Sequence, residues 1–165
     1  MQGQFLQKFP SLLILSAIAL WILNRLTNPI ISQSDQKNMV YQYLILSGLN
    51  ETLARFATAQ SAHETNGWKS IIFKSNNNAF GMKYAGQVNA LNNKNGYANY
   101  KGVNNSVADF VSWYTRKRTN IMSFPLYINS TADFVKFLKL NNYFEADEQE
   151  YLKGVDYFYA KLFPR

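Results

Sequence analysis

Apolar positions in this chain form one unbroken run near the N-terminus and a series of shorter, periodic stretches after it. From Ser11 to Leu23 the residues SLLILSAIALWIL carry no charge, and Lys8 stands just ahead of them. At roughly 1.5 Å per helical residue this run reaches about 20 Å, short of a hydrocarbon core of about 30 Å, so spanning would recruit Phe9, Pro10 and Leu26. The pattern is membrane-directing, and its length leaves signal peptide and signal anchor both open. The residues after Leu23, NRLTNPIISQSDQ, lack an Ala-x-Ala-like cleavage site and favour an uncleaved anchor. A buried core helix is the alternative reading of the same run. Thr27 to Gln36 is polar and aperiodic and contains Pro29, which reads as a linker. The expected organisation is therefore a hydrophobic N-terminal helix with its linker over residues 1–34, followed by one folded domain over residues 35–165.

Helical periodicity begins at Gln36, where Met39, Val40, Tyr43, Leu44 and Leu46 form one face up to Ser47, and Gly48 ends it. Asn50 is suited to cap a second helix from Glu51 to Thr65, stopped by Asn66 and Gly67. Ala54, Ala57, Ala59 and Ala62 on that helix let neighbours approach closely, which predicts a central position. From Lys69 to Tyr100 the helical period disappears among turn residues, and NNKNG resembles a hairpin tip. A small β element with long loops is expected there. Helix is expected again from Ser106, with Ser106 and Asp109 read as a capping box, and over Thr131–Leu140 and Glu148–Leu162, the last two joined by the loop NNYFEAD. The fold class is thus mainly α (α+β), with a small β-hairpin lobe.

Length allows one domain with one core and leaves no room for a second catalytic domain. Lys and Arg outnumber Asp and Glu by 17 to 10, a net charge of +7 that suits an anionic partner. Only Arg116, Lys117 and Arg118 form a basic run; it reads as a solvated helix end, and no nucleic-acid motif surrounds it. With no Cys and one His, a disulfide framework, a Cys nucleophile and a Cys-based zinc site are excluded.

Glu64 is aligned with Leu53, Ala57 and Gln60 at spacings of four, three and four, which puts it on the inward stripe of the second helix. A carboxyl against an apolar wall holds its proton to higher pH and can give it to a leaving oxygen, as glycoside hydrolysis requires. His63 lies about 100° away around the helix and reads as structural.

The segment Ala59-Gln60-Ser61-Ala62-His63-Glu64-Thr65-Asn66-Gly67-Trp68, followed by Asn77-Asn78-Ala79-Phe80-Gly81-Met82-Lys83, resembles the glucosaminidase family of peptidoglycan hydrolases. Tyr97-Ala98-Asn99-Tyr100, Ser106 to Phe110, and Tyr143 to Asp147 with Tyr151 extend the resemblance over roughly residues 50 to 158. It implies a lysozyme-like helical domain and an endo-acting N-acetylglucosaminidase that needs no cofactor and no metal, with Glu64 as general acid. Tyr143 would face the scissile sugar. Asn77, Phe80, Gly81 and Lys83 would shape the groove floor beside Gln60, and Trp68, Tyr97 and Tyr100 would stack on sugar faces. Implied partners are peptidoglycan glycan strands, anionic wall polymers and, through the N-terminal segment, the membrane, as for an autolysin or a phage lysin facing the cell wall.

One departure stands out. Glycosidases usually pair two carboxylates, yet no Asp or Glu occurs between Glu64 and Asp109. Three readings stay open: Glu145 or Asp147 activates water; the substrate's own 2-acetamido oxygen attacks C1; or the domain binds glycan without cutting it. The second is preferred. Rival readings for the whole chain are a muramidase or lytic transglycosylase, and a non-catalytic wall-binding or virion module.

Overall fold

A computed structural model describes residues 32–119 and 127–164. The N-terminal apolar run, expected to be a hydrophobic helix, lies outside the described residues. Among the described residues no helix is long and apolar enough to cross a membrane. From Gln33 onward the chain forms one compact unit.

Helix α1 (Gln33–Leu46) starts earlier than the sequence pattern indicates and takes in the end of the expected linker. It buries Val40 and Leu44 and ends in a Schellman cap: Gly48, at φ 99°, donates to Ile45 O, and Leu49 N donates to Leu44 O. Helix α2 (Glu51–Glu64) is capped by Asn50, whose side chain accepts from Leu53 N. Eight of its residues, including the unbroken stretch from Phe56 to Ala62, are buried. A helix enclosed on so many sides is the axis of the unit, and its alanines allow α1 and the last helix to pack against it.

The stretch read as helix-free contains a short helix, α3 (Ile71–Asn76), capped by Ser70 and closed by Asn77 in the left-handed conformation. Its length is too small to display a period. Strands β1 (Ala90–Lys94) and β2 (Tyr97–Tyr100) then form an antiparallel hairpin, with a register shift between Ala90 and Asn92. Asn95 and Gly96, at φ 57° and 82°, make the two-residue turn that positive φ at both positions selects.

Helix α4 (Val103–Thr119) begins three residues before Ser106, so the expected capping box is not one. Ser106 is buried inside the helix, where its hydroxyl donates to Val103 O and accepts from Ala79 N; Asp109 instead accepts from Asn89 N and Nδ2. The genuine capping box opens α5 (Thr131–Leu140) through Ser130 and Asp133. Helix α6 (Glu148–Leu162) is capped by Asp147 and packs along α2. Val40, Leu44, Phe56, Phe134, Leu138, Val155 and Leu162 build the shared core.

Candidate active site

Glu64 is the last residue of α2, and the way the helix stops sets where its carboxyl points. Asn66 N donates to His63 O and Gly67 N to Ala62 O, with Asn66 at φ 50° and Gly67 at φ 63°: a second Schellman cap, here with Asn in the left-handed position. The same device recurs at the end of α5, where Asn142 (φ 54°) donates to Lys139 O and Tyr143 N to Leu138 O. One cap therefore delivers Glu64, and another delivers Tyr143.

The loop that covers Glu64 is built on Asn78. Its Oδ1 accepts from Phe80 N and Met82 N, while its Nδ2 donates to Met82 O and Ala98 O, which folds the backbone around Gly81 and ties it to β2. Ala98 N donates to Met82 O and Tyr84 N to Gly96 O, so this loop lies along the free edge of β2. Gly81 sits at φ 60°, and a Cβ on it would stand 3.0 Å from Glu64 Oε2. Ser61 fastens the loop from below, donating to Ala79 O at 2.6 Å and accepting from Trp68 Nε1 at 3.0 Å.

Two tyrosines complete the surroundings of the acid. The Tyr151 hydroxyl, from the first turn of α6, donates to Glu64 Oε1. The Tyr143 hydroxyl donates to Phe80 O at 2.6 Å, and Gln60 Nε2 lies 3.4 Å from the Tyr151 oxygen. Burial raises the Glu64 pKa above its ordinary value, opposed by hydrogen bonds from Tyr151 and Gln60. Burial, with the neighbouring Glu64 charge, holds both tyrosine hydroxyls well above their usual range, so they stay protonated donors. Oε1 carries the Tyr151 hydroxyl, and Oε2 lies beneath Gly81. The arrangement can hold a proton on a half-buried carboxyl and stabilise the anion left once that proton departs.

The other sequence-predicted residues divide clearly. Gln60 is fully buried and reaches the site through Tyr151 and through its own side-chain hydrogen bond to Glu64. Trp68 is fully buried and its indole nitrogen is spent on Ser61, so it is a core residue and offers no face to a sugar. Tyr100 is likewise enclosed, and Phe80 stacks on Phe110 at 4.0 Å, contributing its carbonyl rather than its ring. Tyr97 is the only one of the three proposed stacking rings with appreciable exposure. Asn77 donates to Tyr100 O and so joins α3 to the hairpin instead of forming a floor. Lys83 is exposed, with Nζ 3.5 Å from Glu145 of the loop opposite. Asp147 is occupied as the N-cap of α6, accepting from Gln149 N and Glu150 N, which argues against a role as second carboxylate. Tyr143 directs its hydroxyl at the Phe80 carbonyl, not outward. Sequence reasoning left Tyr151, Asn78 and Ser61 without a role; the many polar contacts they make depend on distant partners that no local pattern shows.

Trp68 gives a stability prediction. Trp68→Ala removes the largest fully buried side chain and the indole donor to Ser61, and a loss of about 3–5 kcal/mol is expected in chemical denaturation.

An open depression of about 520 Å³ lies elsewhere, lined by residues such as Ser47, Val111, Thr115 and Arg116; it contains no carboxyl and has no part in acid chemistry. A half-buried acid with a tyrosine hydroxyl on one oxygen and a glycine loop over the other is an arrangement that glycoside hydrolysis can use. The family model described as "Glucosaminidase: Mannosyl-glycoprotein endo-beta-N-acetylglucosaminidase" matches residues 42–162, so the chain belongs to the glucosaminidase family and is a glycoside hydrolase. Neither the curated proteins nor the solved structures compared with it include a match.

Proposed function

We propose that this protein hydrolyses the glycan strands of bacterial peptidoglycan as an endo-acting N-acetylglucosaminidase of lysozyme-like design, with Glu64 as general acid. The observation that carries this reading is the pairing of Glu64 with Tyr151 on one oxygen and the Gly81 loop over the other. The acid-free stretch between Glu64 and Asp109, and the capping role of Asp147, favour a substrate-assisted route. The 2-acetamido oxygen attacks C1 as the C1–O bond to the next sugar breaks, and Glu64 gives its proton to the leaving oxygen. The Glu64 carboxylate, held by Tyr151, then takes a proton from water as that water attacks C1 and releases the acetamido oxygen. Lys69, Lys74, Lys94 and Lys101, in a stretch without acidic residues, supply the attraction to anionic wall polymers. The N-terminal apolar segment would deliver the enzyme to the wall side of the membrane.

Mass spectrometry of fragments released from purified sacculi by the full chain tests the proposal. New reducing GlcNAc ends are expected. Anhydro-muramic ends would identify a lytic transglycosylase, reducing muramic ends a muramidase, and binding to sacculi without any release a wall-binding module; each would overturn the proposed activity.

A further inference from the structure

Two rings that make no hydrogen bond to Glu64 pack against Tyr151. Phe144, from the loop after α5, stacks on one face with centroids 3.7 Å apart and planes 1° from parallel. His63 meets the ring edge-on at 4.6 Å and 85°. The imidazole fits there because α6 carries Gly154 three residues after Tyr151. A Cβ on Gly154 would stand 2.2 Å from His63 Cε1 and 2.3 Å from Nδ1, so the ring occupies the place of the missing side chain. Glycine inside a helix weakens it, which makes this close approach the physical reason for its presence. Lys139 pins the Phe144 loop, donating from Nζ to Glu145 O at 3.1 Å and Ala146 O at 2.6 Å, and lies 5.1 Å from the Phe144 ring centroid.

We infer that His63, seated on Gly154, and Phe144 form a clamp that fixes the Tyr151 ring and thereby holds its hydroxyl on Glu64 Oε1. They are positioning residues for the proton donor, an inference that rests on the proposed role of Glu64. A ring free to tilt would lose the bond to Oε1, and the carboxyl would lose both its orientation and the one hydroxyl that stabilises its anion. The hydrogen bond from Tyr151 lowers the Glu64 pKa, so loosening the ring raises it further. The basic limb of the pH–activity profile, where the acid loses its proton, then moves to higher pH.

The test compares the pH dependence of kcat and kcat/KM on purified sacculi for the wild type, Tyr151→Phe, His63→Ala, Gly154→Ala and Phe144→Ala. Tyr151→Phe is expected to lower kcat and shift the basic limb upward with KM little changed. His63→Ala, Gly154→Ala and Phe144→Ala are expected to do the same to a smaller degree, with kcat reduced roughly tenfold. His63→Phe, which keeps a ring edge and cannot titrate, should return the limb to its wild-type position. Gly154→Ala reports on the same contact through the opposite helix, and Phe144→Ala through an outer loop, should His63→Ala fail to fold. A basic limb unmoved in the clamp variants, while Tyr151→Phe shifts it, would overturn the clamp and leave the role of Glu64 intact. A limb unmoved in Tyr151→Phe itself would overturn it as well. Full activity in Glu64→Gln would instead remove the proton donor, and the clamp with it.

Discussion

Glu64→Gln is expected to end the release of reducing sugar from purified wall while leaving the fold in place, and to melt at a higher temperature than the wild type at neutral pH. The amide keeps the size of the carboxyl and still offers an oxygen to the Tyr151 hydroxyl, so the packing around it need not change. What it lacks is a proton to give. General acid catalysis commonly supplies about 10²–10⁴-fold, so a loss of at least about 10²-fold in kcat is expected. The stability change has a definite sign. Burial raises the folded-state pKa of Glu64, so the folded chain binds this proton more tightly than the unfolded one. That contribution is complete below the ordinary carboxylate range and is lost as pH rises through the folded-state value. Glu64→Gln removes this loss, so its advantage in melting temperature should be present at pH 7 and vanish below about pH 4. Wild-type activity in this variant would exclude Glu64 as the acid.

Gly81→Ala is expected to reduce activity almost as severely, through a different cause. The residue lies at φ 60°, where a Cβ carries a conformational cost of roughly 1–2 kcal/mol. The added methyl would also press on Glu64 Oε2 at 3.0 Å, crowding the oxygen that Tyr151 does not bond. The loop cannot retreat easily, because Asn78 holds it through four hydrogen bonds and the Tyr143 hydroxyl grips the Phe80 carbonyl. A fall of about 10²-fold in kcat, with a melting temperature only a few degrees lower, is expected for a displaced reacting group in a folded protein. Activity near the wild-type level would mean that Oε2 is not the oxygen the substrate meets.

Much of this site is visible in the order of residues along the chain. The inward stripe of α2 places Glu64 correctly because spacing on a helix determines direction, and the Asn-Gly turn locates the hairpin because few residues accept positive φ twice in succession. The failures have a common origin in distance along the sequence. Trp68 and Tyr100 stand among polar neighbours and read as surface rings, but the folded chain encloses both. Ser106 looks like a cap because its local pattern is right, yet its hydroxyl is claimed by Ala79, 27 residues earlier. Tyr151 belongs to the site through Glu64, 87 residues away, and Gln60, a relation that no periodicity contains. Gly154 shows the same limit: a helical glycine reads as a weak point until the imidazole resting on it is seen.

The enclosure of α2 separates Glu64 from the hairpin by how readily each opens. Amides buried in the middle of that helix are expected to exchange with solvent only when the whole unit unfolds, and those of the exposed hairpin tip at Asn95 and Gly96 through smaller openings. The proposed proton donor thus rides on a slow-opening part of the molecule, and a long polymer passing it would be accommodated by movement of the hairpin tip. Mutations that stiffen the turn would then slow the turnover of polymeric substrate before they alter the acidity of Glu64.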